Sequence, residues 1–190
     1  MKVLTSDQQP GLQLWHEIAG YALNRIETWQ DTRDQIADLP TWMTFREEKR
    51  QAVLDGFPPW FFERAHPLNT KVVSRHDFGS FKIENVLFEA FPGWDVNATV
   101  YLPAKPGPHP AVVCPTGSSS KKFFNYQRAG QVFARNGFIA VSFDPPGFQG
   151  EKQELNGVFD TGFTSTLAGV WSNTYMVLPA LRALDYLDSR

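Results

Sequence analysis

Between Gly11 and about Leu39 the apolar residues Leu12, Trp15, Ile18, Ala22, Ile26 and Trp29 recur in steps of three and four. That spacing puts them on one face of an amphipathic helix. Leu39-Pro40 is expected to end it, because a residue before proline is pushed out of the helical region. Thr44-Phe45-Arg46-Glu47 has the spacing of a capping box, so a second helix is expected to begin at Thr44 and to stop at Gly56, ahead of Pro58-Pro59. From Thr70 the period falls to two. Thr70 to Arg75, Phe81 to Phe88 and Val96 to Leu102 alternate β-branched or aromatic residues with polar ones, and Phe78-Gly79 and Pro92-Gly93 supply turn chemistry between them. Three neighbouring antiparallel strands follow from this pattern. Pro103 closes the third, and residues 104–108 read as a surface loop.

The next segments have a different pattern. Ala111-Val112-Val113-Cys114 and Phe138 to Phe143 are short, continuous apolar runs, as expected of strands covered on both faces. Between them lie a small polar turn, Pro115 to Ser120, and a helix expected from about Phe123 to Asn136, ended by Gly137. Strand, helix and strand in this order make a parallel crossover, right-handed by the general rule. The stretch from Asp144 to about Gly169 is rich in glycine, lacks periodicity and reads as a long loop. A last helix is expected over Trp171 or Pro179 to Asp188, split at Pro179 if that proline opens a first turn. The pattern therefore predicts a mixed α/β sheet, antiparallel first and parallel after, with residues 1–69 as a helical N-terminal extension and residues 70–190 as the sheet domain.

Composition narrows the function classes. Eighteen basic and twenty acidic side chains leave a formal charge of −2 in 190 residues, with no basic run that could track a phosphate backbone, so no nucleic-acid partner is expected. Cys114 has no internal partner, and His16, His66, His76 and His109 lack metal-ligand spacing, so neither a metal nor another cofactor is expected. No apolar stretch has signal-peptide or membrane-spanning length, which predicts a cytoplasmic setting and no membrane partner. Aromatics reach 14%, including sixteen Phe and six Trp. Trp15, Trp29, Trp42, Trp60, Phe61 and Phe62 either join the helices to the sheet or cap a site; helical spacing favours the packing role.

Ligands of open parallel sheets sit beyond the carboxyl ends of the strands. That rule brings the loop from Thr116 to Lys121 and the loop from Asp144 to Gly150 to one rim. The first loop is small enough for its amides to approach a developing oxyanion, or it is a plain strand-to-helix turn with a serine N-cap.

An antiparallel lead-in, then Pro108-His109-Pro110-Ala111-Val112-Val113-Cys114-Pro115-Thr116-Gly117, Asn136-Gly137-Phe138-Ile139-Ala140-Val141, Asp144-Pro145-Pro146-Gly147, and Leu181-Arg182-Ala183-Leu184-Asp185-Tyr186-Leu187 follow in order. From Val72 to Arg190 the chain resembles the α/β-hydrolase superfamily, and within it the acetyl xylan esterase and dienelactone hydrolase-like branch with a helical N-terminal extension. The resemblance implies that Thr116, Gly117 and Ser118 form the oxyanion loop, with Pro-Thr-Gly where the family usually has His-Gly. It implies that Asp144 and Gly147 organise the loop after the next strand. It also implies a serine hydrolase acting on small-molecule esters by Ser-His-Asp chemistry. The Gly-x-Ser-x-Gly nucleophile elbow is absent from the chain, so the triad is expected after Arg190 and the domain is expected to be an incomplete, truncated hydrolase, inactive alone. Ser118-Ser119-Ser120-Lys121 matches Ser-x-x-Lys without that motif's companions, and no glycine precedes Lys121 as a phosphate loop requires. Two other readings stay open: a non-catalytic binding module or half of a two-chain assembly, whose Phe138 strand would have an open flank for a homo-oligomer or complementing chain, and a lyase on the same fold.

Overall fold

The structure, a computed structural model, describes residues 11–117, 119–147 and 158–190. It divides into two compact units, Met1–Asp55 and Gly56–Arg190.

The first unit is a pair of helices, α1 (Gln13–Asp34) and α2 (Leu39–Leu54). Helix α2 starts five residues before the expected Thr44. Asp38 is its N-cap, accepting a 2.8 Å hydrogen bond from the Thr41 amide. Pro40 falls in the first turn, where its missing N–H costs nothing because that position has no intrahelical partner. Leu39-Pro40 therefore opens a helix instead of closing one, and Thr44 lies inside it with its hydroxyl on the Pro40 carbonyl. Trp29 and Trp42 both lie against Phe45, at 6.4 and 6.0 Å between ring centres. Neither helix contains a buried residue, so the apolar stripe of α1 builds no core within this unit.

The second unit is built on five strands: β1 (Lys71–Asp77), β2 (Phe81–Phe91), β3 (Trp94–Pro103), β4 (Ala111–Pro115) and β5 (Ile139–Phe143). Their spatial order is β1-β2-β3-β5-β4, antiparallel as far as β5 and parallel between β5 and β4. This is the expected mixed α/β sheet. The position of its open edge differs from expectation. The Phe138 run becomes β5, which inserts between β3 and β4 and has both flanks paired. The edge on the parallel side is β4, whose residues are half-exposed or exposed although its sequence is that of a covered strand.

Strand periodicity gives the sheet two apolar faces. One carries Val86, Phe88, Val96, Ala98, Val100, Val141 and Phe143 against Leu178, Ala183 and Tyr186 of helix α6 (Asn173–Asp188). A short helix, α3 (Trp60–Glu63), seats Phe61 in the same core, stacked on Phe57 at 4.3 Å. The other face carries Phe81, Tyr101 and Ala140 against Ala134 of helix α4 (Phe124–Arg135). Tyr101 lies flat on α4 because residue 130 there is glycine; a Cβ at that position would overlap the Tyr101 ring carbons.

Two expectations for the C-terminal third change. The glycine-rich stretch contains a helix, α5 (Val158–Leu167). Glycine and β-branched residues gave it no helical signal in sequence, and Ser165 and Thr166 both return hydroxyl bonds to the Gly162 carbonyl. Helix α6 is not split: Pro179 sits in its interior and is buried. On α6, Arg182 is only 2% exposed and donates to the carbonyls of Glu89, Arg64 and His66 and to the Asp185 carboxylate. One guanidinium thereby ties the segment before β1 and the end of β2 to the last helix.

Candidate functional site

The rim at the carboxyl ends of β4 and β5 brings together the two loops singled out in sequence. Asp144, the residue after β5, is completely buried. Its Oδ1 accepts from the Ser120 hydroxyl at 2.8 Å and from the Lys121 amide at 2.7 Å. Its Oδ2 accepts from Lys121 Nζ at 2.9 Å and from Asn97 Nδ2 at 3.2 Å. A buried carboxylate is tolerated when it is paired and its lone pairs are filled, and here four donors do so. The backbone joins in, with the Asp144 amide donating to the Asn97 carbonyl at 3.0 Å. Asp144 thus organises the loop after β4, reaching across from the neighbouring strand.

That loop has two further anchors. Thr116 is buried, and its hydroxyl donates to the Phe143 carbonyl at 2.9 Å. The Gly117 amide donates to Tyr126 Oη at 2.8 Å, and a Cβ at Gly117 would lie 3.1 Å from the same oxygen. Ser118 lies outside the described residues. Gly147 has φ +83°, a backbone conformation that favours glycine, and residues 148–157 also fall outside the description. No serine caps α4: its N-cap is Phe123, without a side-chain bond, and Ser120 donates its hydroxyl to Asp144 while its oxygen accepts from the Lys122 amide at 3.2 Å.

Lys121 is the side chain whose importance sequence reasoning missed. It was weighed only as the end of a Ser-x-x-Lys match, yet it is 7% exposed and faces the deepest carboxylate of the rim. Burial pushes its ammonium pKa below the usual lysine value, partly offset by the Asp144 carboxylate. Tyr126 and Asn97 were missed as well. Nothing in the local sequence distinguishes a first-turn tyrosine or an asparagine within a strand that will meet a loop from one that faces solvent. Among the described residues no group of three or more His, Cys, Asp or Glu is placed to hold a metal ion, and no helix is long and apolar enough to cross a membrane.

No family model and no curated protein matches the chain. Solved structures do. A candidate acetyl xylan esterase from Bacteroides fragilis NCTC 9343 superposes with a TM-score of 0.64 at 17% identity, over 80% of this chain and 44% of its own. The glucuronoyl esterase from Solibacter usitatus matches at 0.51 and 15% identity, over 82% and 50% of the two chains. A methylesterase matches at 0.51 and 25% identity, over 66% and 28%. The chain therefore has the α/β-hydrolase-like fold of these esterases and spans half or less of the length of each.

Proposed function

We propose that the chain is the N-terminal portion of a carboxylic ester hydrolase and that the loop from Thr116 to Lys121 is its oxyanion element. The observation that carries this reading is the rim itself. A short, small-residue loop at the carboxyl end of β4 is fixed at Thr116, at Gly117 and on buried Asp144, so its backbone is held in one shape; the Gly117 and Lys121 amides are spent on these anchors, and the donors to an oxyanion would be other amides of the loop. The shared fold of esterases over four fifths of the chain supports it. Serine-triad chemistry, with nucleophile, acid and histidine on polypeptide beyond Arg190, and a cytoplasmic setting complete the proposal. The open β4 edge is where a further parallel strand would add, from the same polypeptide or from a complementing chain.

The test compares this chain with a polypeptide that continues through a Gly-x-Ser-x-Gly elbow. The longer polypeptide should hydrolyse p-nitrophenyl acetate and take up one fluorophosphonate per chain, whereas the 190-residue chain should do neither. A stoichiometric adduct on Ser119 or Ser120 of the 190-residue chain would overturn the assignment of the loop. Ester turnover lost equally in kcat and KM on changing Gly117 to valine in the longer polypeptide would mean that the loop is only structural.

A further inference from the structure

Helix α1 carries a second pattern inside its apolar stripe. Trp15, Ile18, Ala22, Ile26 and Trp29 lie at −7, −4, 0, +4 and +7 from Ala22, so the stripe reads the same in both directions along the helix. At about 100° per residue the five side chains share an arc of about 80°. His16, Glu17, Arg25 and Glu27 all lie outside that arc.

The side of α1 turned to α2 is a different one. Tyr21, Asn24, Arg25, Thr28 and Thr32 line the groove they share with Lys49 of α2, and Arg25 donates to Tyr21 Oη there at 3.2 Å. Trp29 stands at the boundary, its ring centre 6.4 Å from that of Phe45. Trp15, Ile18, Ile26 and Trp29 remain 65, 60, 50 and 44% exposed, and Leu12 and Leu23 beside them are exposed as well. Contiguous apolar surface of this extent marks an interaction site. Aromatic side chains bury roughly 150–250 Å² each, so the stripe with Leu12 and Leu23 offers on the order of 600 Å² per copy. A pair would bury roughly 1,200 Å², the size at which stable specific interfaces begin.

We infer that α1 pairs with α1 of a second copy of this chain, antiparallel about a two-fold axis at Ala22. A two-fold contact sets residue i against j and j against i, so its surface must match itself when reversed. Trp15 then meets Trp29 of the second copy, Ile18 meets Ile26, and Ala22 meets Ala22, with no charged side chain inside the seam. A parallel or head-to-tail contact needs no such symmetry, and neither does a stripe that packs on its own chain. The alanine at the centre lets the helix axes approach to about 8 Å, the near end of helix packing distances, while indole rings close both ends. This surface is separate from the β4 edge and does not depend on ester hydrolysis.

Sedimentation equilibrium of the 190-residue chain tests it: the expected mass is twice 21.5 kDa, with Kd of roughly micromolar order. Ala22 is exposed, and Ala22→Glu keeps a good helix former while setting two carboxylates face to face on the axis. Kd should rise about a hundredfold or more, with the far-UV circular dichroism unchanged. Cross-linking under mild oxidation in a Cys114→Ser background reads the register. Ala22→Cys should link to itself, and Ile18→Cys should link to Ile26→Cys but not to itself. A monomeric wild-type chain would overturn the inference, as would failure of Ala22→Cys to link. So would a dimer that Ala22→Glu leaves intact, which would assign association to the β4 edge, or Ile18→Cys linking to itself, the mark of a parallel pair.

Discussion

Lys121 Nζ and Asp144 Oδ2 stand 2.9 Å apart, with 8% and 0% of their side-chain surfaces exposed, and they join the two loops that make the rim. Both groups are buried, so removing one leaves the other without its charged partner. Asp144→Ala should therefore destabilise the chain by about 3–5 kcal/mol in urea unfolding, and the double change Asp144→Ala with Lys121→Met should recover part of that loss. Equal losses in the single and double variants would show that the carboxylate matters for Ser120 and the Lys121 amide and not for the ammonium.

The Gly117–Tyr126 bond at 2.8 Å predicts a local effect. Tyr126→Phe should speed hydrogen exchange of the Gly117 amide and shift its NMR resonance, at a stability loss on the order of 1 kcal/mol. An unchanged Gly117 resonance would show that the loop holds itself without the phenol.

Glu84 predicts an acid limb. It is 6% exposed, and burial alone would raise its carboxyl pKa, but the Arg190 and Arg75 guanidinium groups outweigh this and hold it below the ordinary value. A carboxyl with a depressed folded pKa contributes stability in full above its unfolded value, about 4.3, and loses it as pH falls through the lower folded value. Glu84→Gln should flatten the stability profile between pH 5 and the acid transition, as read by urea midpoints, and cost on the order of 1 kcal/mol near neutrality. A parallel displacement at every pH would assign the loss to packing.

Gly130 predicts a steric effect. Its missing Cβ is the space in which the Tyr101 ring lies. Gly130→Ala should cost about 1–3 kcal/mol despite alanine's better helix propensity, and pairing it with Tyr101→Val should relieve most of the overlap. A stabilised single variant would mean that α4 can slide off the sheet.

A period of two was enough to place β1, β2 and β3 within a few residues, because side chains on a half-covered strand alternate between its faces; continuous apolar runs placed β4 and β5, and Gly137 marked the end of α4 between them. That a turn follows β4 and that Asp144 comes directly after β5 was also legible, since both apolar runs stop there. Other features were not legible from the pattern of apolar positions. Pro40 fits a helix start only because Asp38 caps it, and α5 lacks the periodicity that would have revealed it. That β5 rather than β4 lies inside the sheet was decided by its pairing to β3, which an apolar run of five residues cannot specify. Likewise, Lys121 in sequence is an ordinary lysine after three serines. Only tertiary structure buries it, because the energy that makes a charge worth burying belongs to the pair it forms with Asp144, twenty-three residues away.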